Sequence, residues 1–401
     1  MNLFLFVAGT LLLTLLFGKA LERFRVPWIF AALLIGAGIA VFGHPFDGII
    51  SSETFRSFAE IGMYLLLFLV GLELDLDKLR QRGKFIVTSA LIIIPAEAVF
   101  GTLLIHFIFG TSWLIAAVVA LSFATVGEAI LIPILQEFGI VNTTLGQSIL
   151  GIGTVDDVIE LLMLLAVIFL IGRHDPWAFG TVFVFLAFLV VLTAGLRWLK
   201  STVKKFRFGG TETLLVFVLA IFFLFVGIGS YASAGPIAAI LAGIILRLFV
   251  PAERMALLES EIKGLTYGLF VPIFFLSVGA ELDFGYLIVH PFVVLLIVAV
   301  SNCVKILASY AVGRKQLGTK GSILLGIGLS VRFSTSIVIM TLLFSNGLIG
   351  PELFSAVIAS SIVFKFVIPV LFSRLLVRWG FAQAKPGVGS KASGISSELA
   401  G

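Results

Sequence analysis

The chain has 401 residues, of which 60% are hydrophobic and only 12% charged. A soluble globular domain carries about 25% charged residues, so the composition excludes a water-soluble fold and predicts an all-α polytopic membrane protein. The formal net charge is +5, and its placement along the chain sets a membrane orientation rather than a nucleic-acid footprint.

Hydropathy and helix breakers predict about thirteen transmembrane helices. They run over 2–18, 27–43, 56–72, 85–109, 112–137, 146–171, 177–196, 211–230, 234–250, 264–280, 285–312, 321–346 and 351–373. The first lacks a preceding basic region and a small-residue cleavage site, so it reads as a span and not as a cleaved leader. After the last span, 382–401 reads as a short disordered tail, with no soluble regulatory domain expected. An odd number of spans puts the termini on opposite faces. Of 27 basic residues, 22 fall on one face, in clusters such as Lys78/Arg80/Arg82/Lys84 and Arg197/Lys200/Lys204/Lys205/Arg207. That face is expected to be cytoplasmic, with the N-terminus outside and the C-terminus inside. Only Arg56 and Arg173 lie on the other face, and Lys305, Arg332 and Lys365 lie within spans.

The sequence repeats itself. VGLELD at 70–75 returns as VGAELD at 278–283, ALS at 120–122 returns as GLS at 328–330, and Gly139 matches Gly347, each 208 residues on. AALLIG at 31–36 returns as AAILAG at 238–243, 207 residues on. Seven spans separate equivalent positions, so the halves (spans 1–6 and 8–13) are expected to insert upside down relative to each other. Inverted repeats of this kind mark secondary transporters with a site near mid-membrane.

Eight ionisable residues fall inside spans: Glu97, Glu128, Asp156, Asp157, Glu160, Lys305, Arg332 and Lys365. At about 1.5 Å per helical residue, Asp156, Lys305, Arg332, Glu128 and Lys365 all reach a layer roughly 14–16 Å from a span end. A charge at that depth costs at least a few kcal/mol and must face a partner or water. The adjacent pair Asp156 and Asp157 is the sharpest of these signals. The 208-residue offset matches Asp157 to Lys365 and Glu97 to Lys305. Equivalent positions thus carry opposite charges, which can act as counter-ions across the pseudo-symmetry axis. Span five contains ATVGEAILIP and span twelve SVRFSTS, helix-breaking sequence at matched places. Two crossed broken helices are expected there, with Glu128 and Arg332 neutralising their ends.

Together, PWIFAALLIGAGI, LLLFLVGLELD, ILQEFGI, ILGIGTVDDV, ASAGPIAAILAGIIL and VPIFFLSVGAELD resemble the cation/proton antiporter superfamily. Within it the chain is similar to the bacterial Na+/H+ antiporters with an Asp-Asp pair, the monovalent cation:proton antiporter-2 branch. The resemblance implies a homodimer in a bacterial inner membrane and an elevator mechanism. It implies a dimerisation domain (1–82 and 209–283), a moving ion-binding core (83–175 and 284–380), a linker helix (176–208) and a cytoplasmic tail (381–401). It implies Asp157 as the principal ion carboxylate, Asp156 as its neighbour and the partner of Lys305, and Thr125 near the crossing. Na+ would then sit on Asp157 and Asp156. Glu97, Glu160 and Lys365 depart from the family's pattern and stand as accessory charges.

The residues suggest a mechanism. A dehydrated carboxylate needs either a proton or a cation beside it, so Na+ or Li+ and H+ compete for the same oxygens. Lys305 would hold Asp156 ionised and release a proton when the cation breaks their pair. That gives two protons per Na+ and an electrogenic cycle. K+/H+ exchange and a non-transporting sensor on the same scaffold are the alternatives, and a polar cluster that only ties helices together is the bland reading of the aspartates. No zinc-protease helix motif, nucleophile elbow or paired catalytic histidine is present, so an enzyme is not expected. The lone Cys303 excludes a disulfide within the chain, the four histidines lack ligand spacing, and no cofactor is expected. The expected partners are Na+ and H+, membrane lipid and a second copy of the chain, with no nucleic acid.

Overall fold

The computed structural model describes residues 2–22, 26–42, 46–73, 83–126, 128–171, 211–231, 234–250, 252–331 and 334–381. The expected span at 177–196, Arg332 and the tail 382–401 lie outside the described residues, as do the side chains of Asp157 and Glu128.

Among the described residues the structure is helical, with no strand. The first half comprises α1 (Leu3–Glu22), α2 (Phe30–Val41), the single turn α3 (Asp47–Ile50), α4 (Glu53–Glu73), α5 (Lys84–Phe109), α6 (Trp113–Ala124), α7 (Glu128–Glu137) and α8 (Thr144–Ile171). The second half opens with α9 (Thr211–Tyr231) and α10 (Gly235–Phe249). Next, α11 (Ala252–Leu265) runs through a π-helical turn (Thr266–Phe270) into α12 (Val271–Ala280). The short α13 (Phe284–Val289) leads to α14 (Pro291–Leu329), α15 (Ser334–Ser345) and α16 (Pro351–Arg378). Among these residues seven helices are long and apolar enough to cross a membrane, and further apolar helices are shorter.

Two boundaries differ from the sequence expectation. The tenth span was expected to begin at 264, but α11 starts twelve residues earlier at Ala252. Its first turns carry Glu253, Arg254, Glu259, Glu261 and Lys263. Hydropathy sees only the apolar part of a helix, not a polar extension that continues the same backbone hydrogen bonding into water. The eleventh span was expected over 285–312. The structure instead ends α13 at Val289 and restarts at Pro291, because proline suits the first turn of a helix and cannot continue one. The stretch α14 is two helices joined at Gly318, whose φ of 69° and ψ of 177° are not helical, and the second of them ends at Leu329.

The 208-residue offset is visible in the backbone. Left-handed glycines recur in pairs at that spacing, Gly110 (φ 64°) with Gly318 (φ 69°) and Gly139 (φ 66°) with Gly347 (φ 67°). Close helix crossings recur as well. A Cβ at Gly71 of α4 would overlap the Ile240 carbonyl of α10, and one at Gly243 the Phe68 carbonyl. The equivalent crossing of α2 and α12 uses Gly36 against Leu276 and Gly279 against Leu33. Glycine allows the backbones to touch in lipid, where apolar side chains gain nothing by leaving the solvent. The repeated AALLIG/AAILAG and VGLELD/VGAELD motifs are therefore the two faces of these crossings.

Among the described residues the buried apolar side chains form two clusters. The larger unites α2, α4 and α9–α12 with α6, α15, the later turns of α8 and the first turns of α16. The smaller is built from α5, α7, α8 and α16 and the end of α14, and includes Ala124, Val126, Val155, Leu329 and Val331. These last residues enclose the charged layer.

Candidate functional site

The two expected breaks are present. Helix α6 stops at Ala124 because Thr125 turns extended, with φ −69° and ψ 158°. Beyond residue 127, α7 begins at Glu128, and Pro133 lies inside it. In the second half, α14 ends at Leu329 and α15 resumes at Ser334. A helix that stops in a membrane exposes carbonyls at one end, N–H groups at the other, and about half an elementary charge at each.

Lys305 reaches both breaks from the middle of α14. Its Nζ donates to Ala124 O and to Leu329 O, each at 2.9 Å, so one ammonium caps the C-terminal ends of both half-helices. The same nitrogen pairs with Glu97 Oε2 of α5 at 2.8 Å. Ser301, one turn before Lys305 on α14, donates its hydroxyl to Glu97 Oε1. Asp156 of α8 meets the first break from the opposite sign: Val126 N–H, leading into α7, donates to Asp156 Oδ2. Lys305 and Asp156 are each 0% exposed, and Glu97 is 1% exposed. Charges this dry persist only as part of a hydrogen-bonded set of opposite sign.

The expected end-compensating residues were Glu128 and Arg332. Among the described side chains that duty falls to Lys305 and Asp156. Sequence places charge near a break but not which helix leans a long side chain across it. Thr125 sits at the break, buried, with its hydroxyl donating to Ser122 O at 3.1 Å. Glu160 is buried further along α8. Lys365 is buried on α16, with Nζ 3.7 Å from the centroid of the Phe30 ring of α2, a cation–π contact. Asp157 is on α8, and its side chain lies outside the described residues. Glu97, read from sequence as an accessory charge, is the ion-pair partner of Lys305, as the 208-residue offset had matched them. Ser301 was not singled out. Its spacing of four residues from Lys305 put it on the same helix face and was the available signal.

A second feature lies toward the helix ends remote from the basic turns. There α4, α12 and α15 enclose a cavity of about 580 Å³ lined by Arg56, Glu60, Tyr64, Ser277, Glu281 and Asn346 among others. The Tyr64 hydroxyl donates to Glu60 Oε1 at 2.6 Å. Glu281 follows the last turn of α12, and partial loss of hydration at the cavity raises its carboxyl to about 7, with Arg56 opposing. The folded state then holds this proton to higher pH than the unfolded chain does. Stability from this group is intact in acid and is lost as pH rises from 4.5 toward about 7. Glu281→Gln is expected to flatten the decline in Tm over that interval, measured on detergent-solubilised protein. A decline as steep as the parent's would exclude Glu281 as its source.

Two interrupted helices meeting at a buried lysine and a buried aspartate, inside a duplicated all-α membrane fold, define a cation/proton antiporter. Comparison with known proteins agrees. The family model described as "Sodium/hydrogen exchanger, transmembrane" matches residues 10–378. The chain is 29% identical over 386 residues to the probable Na(+)/H(+) antiporter GerT of Bacillus cereus, covering 92% of this chain and 97% of that one. It is 28% identical over 369 residues to the probable Na(+)/H(+) antiporter 3 of Methanocaldococcus jannaschii, covering 89% and 92%. In fold it is similar to the sodium proton antiporter MjNhaP1 of M. jannaschii, with a TM-score of 0.63 at 17% identity over 94% of this chain and 96% of that one. The chain belongs to the sodium/hydrogen exchanger transmembrane family.

Proposed function

We propose that the protein exchanges Na+, or Li+, for H+ by alternating access in a bacterial inner membrane, with the cation and protons competing for Asp156 and Asp157. The observation that carries this reading is the meeting of Asp156 and Lys305 at the first helix break, dry and of opposite sign. Asp156 sits where a half-helix presents an N–H, and the adjacent Asp157 lies on the same turn of α8. Two carboxylates carry two protons one way or one monovalent cation the other, so each cycle moves one net charge. The names of the related antiporters support Na+ and H+ as the exchanged ions.

In this reading spans 1–3 and 8–10 are the static part and hold two copies together as a homodimer. The site-bearing helices α5–α8 and α14–α16 move past that part as an elevator. The basic clusters orient the C-terminus to the cytoplasm.

Proton flux in proteoliposomes tests the assignment, with Na+, Li+ and K+ added in turn. Na+ and Li+ are expected to drive proton movement at an apparent affinity at least about tenfold tighter than K+, a difference of about 1.4 kcal/mol. Equal responses to Na+ and K+ would reassign the protein as a K+/H+ exchanger.

A further inference from the structure

The Lys305 ammonium donates to Ala124 O and to Leu329 O, each at 2.9 Å, and its charge is paired with Glu97 Oε2 at 2.8 Å. The second oxygen of Glu97 accepts from Ser301. Both side chains are sealed from solvent, with 0% of Lys305 and 1% of Glu97 exposed. Removing the charge from Lys305 would leave the Glu97 carboxylate buried without its cation, and no bulk water would replace it. Asp156 stands differently. Val126 N–H donates to Oδ2, an interaction that Asp156 keeps whether Oδ1 carries a proton or faces a cation. Of the helices packed against α14, α5 brings Glu97, α8 brings Asp156, Asp157 and Glu160, and α16 brings Lys365.

We propose that Glu97 is a positioning residue that keeps Lys305 protonated throughout the exchange cycle. Lys305 then acts as a fixed clamp on both broken helices, and both exchanged protons ride on Asp156 and Asp157. The sequence had suggested instead that Lys305 itself releases one of them. This inference rests on the cation/proton reading above and assigns the carriers within it.

The test is the coupling ratio, read from the ion gradient that nulls proton flux in proteoliposomes at set voltages. It is measured on the native protein, on Lys305→Gln and on the neutral pair Glu97→Gln with Lys305→Gln. The neutral pair is expected to turn over more slowly than native protein but at the native ratio of protons to cation. Lys305→Gln alone, which leaves Glu97 a lone buried charge, is expected to be at least about tenfold slower than the pair. A neutral pair that loses one proton per cycle would show that Lys305 is a carrier and overturn the proposal. If the neutral pair fails to fold, Lys305→Arg decides: a guanidinium stays charged beside Glu97 and cannot carry a proton, so the native ratio is expected, and one proton fewer per cycle overturns the proposal. Native protein that shows no cation-driven proton flux would instead remove the antiport reading itself.

Discussion

Asp156→Asn is expected to abolish cation-driven proton flux while leaving the protein folded. The amide oxygen of asparagine still accepts the Val126 N–H, so the helix break keeps its partner. Asparagine, however, can neither bind a proton in the working pH range nor offer a full negative charge to a cation. Interactions with a charged group contribute about 1.5–3 kcal/mol. Losing one near the upper end corresponds to about a hundredfold in affinity. Asp157→Asn is expected to match it, since each aspartate accounts for one of the two protons. Flux at saturating Na+ and Tm measured side by side check this. Full flux in either variant would mean that the cation uses other oxygens, and a large fall in Tm without loss of flux would leave only the tying of helices for that residue.

Lys305→Met should be the most destabilising single change in the charged layer. Methionine fills the volume but leaves Glu97 as a lone buried carboxylate and withdraws the donor from both Ala124 O and Leu329 O. Removing one partner of a buried ion pair costs about 3–5 kcal/mol. The expected result is a sharp loss of folded protein on heating, read by size exclusion in detergent, with Glu97→Gln in the same background recovering part of it. The charge swap Glu97→Lys with Lys305→Glu is not expected to recover it. A glutamate at 305 would face two carbonyl oxygens, so the pair restored on paper is opposed by two acceptor–acceptor contacts. Full recovery by the swap would show that the carbonyl contacts contribute little.

The difference between those two double variants marks where sequence reading stops. The offset of 208 residues identified Glu97 and Lys305 as equivalent and opposite, and they are indeed an ion pair. What it did not contain is that the lysine stem is long enough to reach two helix ends contributed by different repeats. Glu128 and Arg332 lie close along the chain to the breaks, but the Glu128 side chain and Arg332 are outside the described residues. Lys305 reaches both helix ends because the tertiary fold lays α14 against α5 and across both interruptions.

Much of the architecture is written in composition and periodicity. Lipid forces every backbone polar group into a helix, so apolar runs of about twenty residues locate the spans, though not a polar helical extension such as the one that begins at Ala252. Duplication was likewise legible, because Gly36, Gly71, Gly243 and Gly279 have no freedom to change where helix backbones touch. The charged residues at bilayer depth were found by their cost alone. The tertiary structure alone decided which of them meet. A membrane interior penalises every unpaired charge alike and so locates the charges without pairing them. Pairing depends on how helices distant in sequence cross, and at 2.8–2.9 Å it is a matter of side-chain reach.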